Sequence, residues 1–337
     1  MYYKINNLVF EGGGVLGIAY LGVIEYLYQK HILQNINRVA GTSAGAITAC
    51  ITSFRLSSKE IKEIADSLDF RKIPEQSTHP NLEKIPKFIQ RELENIFGDI
   101  NSLYRLFQDY GWYSSQYFYQ WLQQQIANQF DSNKKKPPYT FADFKNPDIH
   151  KDKKEFMDLY VIGTNISYRV SQIFSYETTP DMEVAQAVRI SMSIPLFFES
   201  IKLENHETPH HIQTDVFSDG GIMRNYPINI FDATNVKEQI KYGLHFQTLG
   251  ARFKSTIRHS EIRSLIDYIK NLNLSLLKVQ QDMYLNTPKD IARSIEIETG
   301  DISSIDFDID VNDKTYNFLY RQGYVAAENY FKKRLYR

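Results

Sequence analysis

The sequence predicts an α/β protein of three layers, in which a mainly parallel central sheet lies between two layers of helices. Leu8 to Phe10 is typical of a buried strand, Gly17 to Gln29 of a helix that is apolar on most faces, and Ile36 to Gly41 of a second short strand. A strand, a helix and a strand in this order form a βαβ unit, whose strands run parallel. A chain of 337 residues, 42% of them hydrophobic, can bury a large core around such a sheet.

The composition excludes several classes of protein. A formal net charge of -1 gives the chain no overall attraction to nucleic acid, so no nucleic-acid partner is expected. The single cysteine, Cys50, can form no internal disulfide, which suits a reducing compartment. The longest apolar segment, Val15 to Tyr28, falls short of the ~20 residues that span a bilayer, and no signal peptide is evident. We therefore expect a chain that is cytoplasmic when synthesised, with export by a signal-free route as the alternative.

Helices and strands continue beyond the βαβ unit. The pattern from Ser58 to about Phe130 is mostly helical, and a helix that begins near Met182 is ended by Pro195. A long late helix carries one apolar stripe, and a last helix runs near Tyr316 to Phe331. The further strands are Asp158 to Ser167, Val170 to Glu177, Thr214 to Gly221 and Ile240 to Phe246, and the stripe comprises Ile262, Leu265, Ile266, Ile269, Leu272, Leu276, Val279 and Met283.

A glycine-rich turn, EGGGVLG, follows the first strand. Gly12, Gly14 and Gly17 match G-x-G-x-x-G, a turn that places a dinucleotide phosphate on a helix N-terminus. The same geometry can hold an oxyanion, because backbone N–H groups and the positive end of a helix dipole converge on negative charge. The turn alone does not decide between the two uses.

The second strand ends in a serine elbow. A dinucleotide site requires an acidic residue at the end of this strand, whereas this chain has Gly41-Thr42-Ser43-Ala44-Gly45, which is G-x-S-x-G. Gly41 and Gly45 are needed there because the sharp turn crowds the neighbouring backbone. Adjacent parallel strands thus bring the Ser43 hydroxyl and a cluster of N–H donors to one sheet edge, as a nucleophile and an oxyanion hole require.

A base for this serine is suggested by FSDGG. Asp219 stands at the end of a predicted strand, where Gly220 and Gly221 turn the chain away, and active sites of open α/β sheets lie at strand ends. The alternative is an Asp-Gly-Gly turn with no chemical role. No histidine stands in a signature context; the eight are His31, His79, His150, His206, His210, His211, His245 and His259.

Taken in order, EGGGVLG, GTSAG and DGG make the chain resemble the patatin-like phospholipase family, whose machinery is a Ser–Asp dyad. GWYSSQYFYQWL, YTFADF, AVRISMSIPLFF and DGGIMRNYP extend the resemblance over roughly residues 5 to 230. The resemblance implies that Ser43 is the nucleophile, Asp219 is the base, and the N–H groups around Gly12, Gly13 and Gly14 form the oxyanion hole.

The resemblance also implies a fold, an organisation and a substrate class. It implies a patatin-like catalytic domain over residues 1–250, with a mostly helical insertion at about 71–130, and a mostly helical part at 251–337 that packs on it. The activity implied is lipid acyl hydrolysis of the phospholipase A or lysophospholipase type, with no cofactor or metal. The implied partner is a lipid ester reached by peripheral membrane contact, with an activating partner left open. Leu16 stands where the family commonly has Arg or Lys, which bears on the preference for phosphate-bearing head groups.

Two other functions fit parts of the sequence. An ordinary α/β-hydrolase would use His245 or His259 after Asp219, but Ser43 follows only one earlier strand, which is too early for that fold. A non-enzymatic module could bind a phosphorylated ligand at the glycine turn, but this use leaves the whole serine elbow unexplained.

The sequence also suggests a lid. The segment from about Arg71 to Tyr113 mixes charged residues with apolar ones, so that it could cover an apolar groove in water and turn towards lipid, with Lys134 to Lys136 attracting anionic head groups. The alternative is a fixed helical insertion that enlarges the core. The apolar residues are Ile85, Phe88, Ile89, Phe97, Leu103, Tyr104, Leu106 and Phe107.

Overall fold

The computed structural model describes residues 4–76, 87, 91, 100–208, 211–233, 246–254, 259, 261–285 and 287–335. Its strands are β1 Lys4–Phe10, β2 Arg38–Thr42, β3 Gly111–Tyr113, β4 Asp158–Asn165, β5 Val170–Phe174, β6 Leu196–Phe198, β7 Ile201–Thr208, β8 His211–Asp219, β9 Phe246–Phe253 and β10 Ser294–Ile297. Its α-helices are α1 Ile18–Gln29, α2 Ala44–Ser53, α3 Ser58–Asp66, α4 Ile100–Gln108, α5 Gln116–Ala127, α6 Phe141–Phe144, α7 Val184–Ser191, α8 Gly221–Arg224, α9 Leu265–Leu285, α10 Pro288–Ala292 and α11 Lys314–Leu335.

The central sheet is mainly parallel, as the sequence predicts. Its order is β10-β9-β1-β2-β4-β8-β7, with β5 also paired to β4. The strands from β10 to β4 are mutually parallel, whereas β5 and β8 run antiparallel to β4, and β7 runs antiparallel to β8. A small second sheet pairs β3 with β6. The hairpin of β7 and β8 is not predicted as such from the sequence, since only β8 carries a recognisable strand pattern.

Side chains of β1 alternate between the two faces of the sheet, which gives the fold its layers. Leu8 and Phe10 pack in the large core with α1, α2 and α7, while Val9 packs on the opposite face with Ile228 and Phe231. Both faces are therefore covered, and the predicted three-layer α/β fold is confirmed.

Helix α1 is buried on nearly every side because it lies under α11. A Cβ on Gly22 would lie 2.0 Å from the Tyr320 carbonyl oxygen, and one on Gly323 would lie 1.7 Å from that of Ala19. The two glycines thus permit the close approach of these helices. Because α11 covers α1, the side of α1 that would otherwise face solvent is buried as well, which explains why it is apolar on most faces, as predicted.

Some predicted boundaries meet the structure differently. The proposed division at residue 250 falls inside β9, and β10 joins the same sheet, so the C-terminal part contributes β10 and the end of β9 to it as well as helices. The predicted strand Ile240 to Phe246 lies outside the described residues except for Phe246. About half of the proposed lid also lies outside them, namely residues 77–86, 88–90 and 92–99, whereas α4 and β3 belong to its described end. Within the described part of the chain, no helix has the length and apolar character to cross a membrane.

Candidate active site

Ser43 forms a strained turn between β2 and α2. Its φ of 53° and ψ of -124° are unfavourable for a residue with a Cβ. A Cβ on Gly41 would lie 2.1 Å from the Gly45 carbonyl oxygen, and one on Gly45 would lie 2.4 Å from that of Phe10. Both predicted elbow glycines therefore occupy positions where the backbone leaves no space for a side chain.

Sheet register brings Ser43 and Asp219 to one level. Thr42, the last residue of β2, pairs with Ile162 of β4, and the next residue of β4, Gly163, pairs with Asp219 of β8. Because β8 is antiparallel to β4, the rule for parallel strand ends does not place Asp219. The carboxylate reaches Ser43 because β8 ends opposite Gly163, one residue beyond the partner of Thr42 on β4.

The Ser43 hydroxyl and the Asp219 carboxylate line the same cleft and lie close enough for the hydroxyl to lower the pKa of the carboxyl. Both residues are buried, with 6% and 4% of their surface exposed. Burial raises the pKa of Asp219 to about 7, against the opposing effect of the hydrogen bonds from the Gly221 N–H and from Ser43. The Gly221 bond is 2.6 Å long. The carboxylate is thus more basic than an ordinary aspartate and lies next to the hydroxyl.

The end of α7 fastens both residues in place. Ser191 Oγ accepts a hydrogen bond from the Ser43 N–H at 2.9 Å and donates one to the Ile162 carbonyl. The Ser193 carbonyl accepts from the Asp219 N–H at 2.9 Å. Sequence reasoning identified this region only as a small-residue helix ending at Pro195. The serines within RISMSIP are the signal that could have pointed to the role.

The glycine turn presents two N–H groups to the same cleft. The Gly12 N–H is not free, because it donates to the Asn225 carbonyl at 3.0 Å. The N–H groups of Gly13 and Gly14, by contrast, have no acceptor within the described part of the chain, and both residues line the cleft with Ser43. Gly14 has a φ of 54°, and a Cβ there would lie 1.8 Å from the Ser304 carbonyl oxygen. Of the three predicted oxyanion-hole glycines, Gly13 and Gly14 thus keep an N–H group without an acceptor among the described residues.

Asn225 connects the glycine turn to the segment after Asp219. Its Nδ2 donates to the Gly12 carbonyl at 3.1 Å and to Glu11 Oε1 at 3.4 Å. Glu11 is buried; burial raises its pKa to about 7, partly offset by Arg252, which lies 3.7 Å away. The motifs of the sequence assign a role in the site to neither Asn225 nor Glu11.

Ser43 lies where two cavities meet. The outer one is a cleft of about 590 Å³, open to solvent, whose wall includes Lys270, Asn273 and Leu277 of α9. The second, which we call the inner cavity because most of its lining side chains are buried, has about 790 Å³ including space open to solvent and is mostly apolar. Its lining includes Ile18, Leu21, Ile47, Ile51, Leu68, Phe70, Trp121, Phe198 and Phe307.

Histidines and metal ligands are not part of the described site. No histidine of the described chain lines the cleft; His259 is exposed, and His245 lies outside the described residues. The described residues also contain no group of three or more His, Cys, Asp or Glu side chains arranged to hold a metal ion.

Comparisons with known proteins find a matching family model, related sequences and a similar fold. A family model described as Patatin-like phospholipase matches residues 8–232. An uncharacterized protein of Acanthamoeba polyphaga mimivirus is 26% identical over 318 residues, which cover 94% of this chain and 90% of the relative. A protein of Invertebrate iridescent virus 6 named "Probable lipid hydrolase 463L" is 25% identical over 289 residues, 85% of this chain and 81% of the relative. The crystal structure of VipD from Legionella pneumophila has a TM-score of 0.56 at 18% identity, over 98% of this chain and 67% of that one, and shows the same fold.

Proposed function

This chain belongs to the patatin-like phospholipase family and is a lipid acyl hydrolase, and we propose that it cleaves the acyl esters of glycerophospholipids with Ser43 as nucleophile and Asp219 as base. The observation that carries this proposal is the close approach of the buried Ser43 hydroxyl and the buried Asp219 carboxylate in one cleft. This contact leaves no position for an imidazole between the two side chains. It favours a two-residue mechanism over a Ser-Asp-His triad.

Asp219 has the basicity that the first step needs. The ionised carboxylate takes the proton of Ser43 as the serine oxygen attacks the ester carbonyl carbon. Burial raises the pKa of Asp219 from 3.8 to about 7, so the proton transfer is less uphill than to an ordinary aspartate. The protonated Asp219 then returns the proton to the departing lysophospholipid oxygen, and the acyl group remains on Ser43.

A water molecule completes the reaction. Asp219, ionised again, removes a proton from water, whose oxygen attacks the acyl carbon and releases the fatty acid. The proton passes from Asp219 back to Ser43. In both steps the carbonyl oxygen becomes an oxyanion, and we assign its stabilisation to the free N–H groups of Gly13 and Gly14, supported by the helical segment that begins at Gly14. One such donor is worth roughly 2.7–4 kcal/mol in comparable sites.

The two cavities suit the two halves of a phospholipid. The inner apolar cavity suits a fatty acyl chain, because each methylene that leaves water contributes about 0.8 kcal/mol. The outer cleft receives the rest of the molecule. Lys270 lines this cleft and is half-buried. Lys270 thus supplies a positive charge near the site. Leu16, at the position where the family commonly has Arg or Lys, supplies none.

A lipid panel tests the proposal. Purified enzyme and the Ser43→Ala variant are incubated with phosphatidylcholine, lysophosphatidylcholine and triacylglycerol, and the released fatty acids are identified by mass spectrometry. The proposal predicts release from the phospholipids by the wild-type enzyme and none by the variant. Release by the variant, or from triacylglycerol alone, would contradict it.

A further inference from the structure

Helix α9 exposes large apolar side chains. A helix on the surface of a soluble protein normally turns its apolar stripe to the core. In α9, five large apolar side chains that fall within an arc of about 80°, at 3.6 residues per turn, face solvent instead. We call them the docking stripe; they are Tyr268, Leu272, Leu276, Val279 and Met283, and 54%, 41%, 42%, 62% and 69% of their respective surfaces are exposed.

Hydrogen bonds on the inner side of α9 fix this orientation. Gln280 Nε2 donates to the Gly221 carbonyl at 2.6 Å, and Gln280 Oε1 accepts from the Asn225 N–H at 2.8 Å. Asn273 Nδ2 donates to the Pro195 carbonyl at 3.1 Å. Since these bonds are directional and hold the side that carries Gln280 and Asn273 inwards, the docking stripe faces away from the protein.

The docking stripe is continuous with the mouth of the active-site cleft. Leu276 belongs to the stripe and also lines the cleft, and Lys270, Leu274 and Leu277 of the same helix form its wall. A surface that covers the stripe is therefore brought directly to the opening above Ser43. For an enzyme whose substrate is a lipid ester, a lipid surface is the occupant that makes this arrangement useful.

We propose that α9 docks on the surface of a phospholipid bilayer, with the docking stripe inserted between the lipids and the helix axis parallel to the membrane plane. A phospholipid then passes from the bilayer along the inner side of α9 to Ser43 without entering water. Lys278 forms an ion pair with Asp282, so the helix brings little net charge to the membrane beside the stripe. Binding is accordingly driven by apolar contact and depends little on salt. This inference rests on the proposed function, because it takes bilayer phospholipid as the substrate.

Vesicle binding of a doubly substituted protein tests the docking stripe. Val279 and Met283 are replaced by Asp in the Ser43→Ala background, so that phosphatidylcholine vesicles stay intact, and bound protein is measured by co-sedimentation. We expect the partition coefficient to fall by about 10-fold or more, since each carboxylate would have to enter the lipid interface. The matched control is Phe107→Asp, at an exposed apolar position of α4 that is 75% exposed and lies outside both cavities. It should bind as the parent protein does.

Further variants and substrates separate this inference from the proposed function. With Ser43 intact, Val279→Asp/Met283→Asp should hydrolyse a dispersed short-chain phosphatidylcholine within about 2-fold of wild type, because neither residue lines the cleft, and should lose activity on vesicles about 10-fold. The milder pair Val279→Ser/Met283→Ser should show the same order of effects, and Met283→Leu should bind normally.

Three outcomes would overturn the inference. One is vesicle binding by Val279→Asp/Met283→Asp that equals the parent's while the dispersed substrate is cleaved; the proposed function would then stand alone. Another is equal loss of binding in the Phe107→Asp control. The third is a wild-type dimer, seen by sedimentation velocity, that the double substitution converts to monomer, because the stripe would then cover a second copy of the chain. Failure of wild-type enzyme to cleave the dispersed phospholipid would instead count against the proposed function.

Discussion

Asn225 and Gly12 exchange two hydrogen bonds although 213 positions separate them in the chain. The Gly12 N–H donates to the Asn225 carbonyl at 3.0 Å, and Asn225 Nδ2 donates to the Gly12 carbonyl at 3.1 Å. Gly12 directly precedes Gly13 and Gly14, whose N–H groups have no acceptor among the described residues. Asn225 follows Asp219 by six positions in the sequence. The pair therefore fixes the proposed oxyanion donors relative to the proposed base.

Asn225→Ala tests this coupling. The substitution removes Nδ2, leaves the buried Gly12 carbonyl and Glu11 carboxyl without that donor, and keeps the backbone bond. We expect kcat for a dispersed ester to fall about 10-fold or more with little change in KM, because the loosened donors act on the transition state rather than on bound substrate. Asn229→Ala is the control, since Asn229 is exposed and its side chain bonds only Arg224 among the described residues. Equal kcat values for the two variants would show that the side-chain hydrogen bonds of Asn225 have no catalytic effect.

The pH dependence of the reaction should report Asp219. Burial raises the pKa of this carboxyl to about 7, and the group accepts protons only when it is ionised. The value of kcat/KM should therefore rise through about pH 7 and level off above it. An enzyme whose rate is already maximal near pH 5, well below that pKa, would contradict the assignment.

The same shift predicts a stability effect of opposite sign. Because the folded-state pKa lies above the ordinary value, ionisation of Asp219 opposes folding. The protonated carboxyl therefore contributes its full stabilisation below about pH 4, and this contribution is lost as the pH rises to about 7. Asp219→Asn should therefore unfold at a higher temperature than wild type at about pH 8, and the gap should shrink towards about pH 4. A gap that does not vary with pH would indicate that Asp219 is not perturbed as described.

Lys270 should set the preference for phosphate-bearing substrates. Lys270→Met keeps the length of the side chain and removes its charge from the cleft wall. We expect the ratio of kcat/KM for phosphatidylcholine to that for diacylglycerol to fall about 10-fold, which corresponds to ~1.4 kcal/mol of lost phosphate contact. Lys278→Met is the matched control on the same helix, since Lys278 pairs with Asp282 and does not line the cleft. An equal fall in kcat/KM for both substrates would show that Lys270 does not recognise the phosphate.

The sequence was most informative where chemistry depends on neighbouring residues. The elbow from Gly41 to Gly45 is a local turn whose crowding excludes other residues, so the motif and its position between strand and helix identify it. The order of β1, α1 and β2 likewise predicts a parallel pair. These features need no knowledge of distant contacts.

Features that depend on distant partners could not be predicted. Nothing near Gly12 shows that its N–H is occupied by Asn225, and nothing near Asp219 shows that β8 runs antiparallel to β4. Ile269 of the predicted stripe is buried, whereas Leu272, Leu276, Val279 and Met283 of the same stripe are exposed. The period of α9 thus identified apolar positions but not the side of the helix that faces solvent. That side is set by Gln280 and Asn273, whose partners lie outside the helix. For the same reason the sequence does not show that α9 forms a wall of the cleft. The lid between Arg71 and Tyr113 stays a prediction, because about half of that stretch lies outside the described residues.

The central claim is that Ser43 is activated by Asp219 and not by a histidine. The most direct measurement is kcat on a dispersed ester for Asp219→Asn, His245→Asn and His259→Asn, together with labelling of each folded variant by a fluorophosphonate and mapping of the modified residue. The account predicts a fall in kcat of about 10³-fold or more for Asp219→Asn, values within about 2-fold of wild type for both histidine variants, and labelling at Ser43 alone. A histidine variant as inactive as Asp219→Asn, or labelling at another serine, would contradict it.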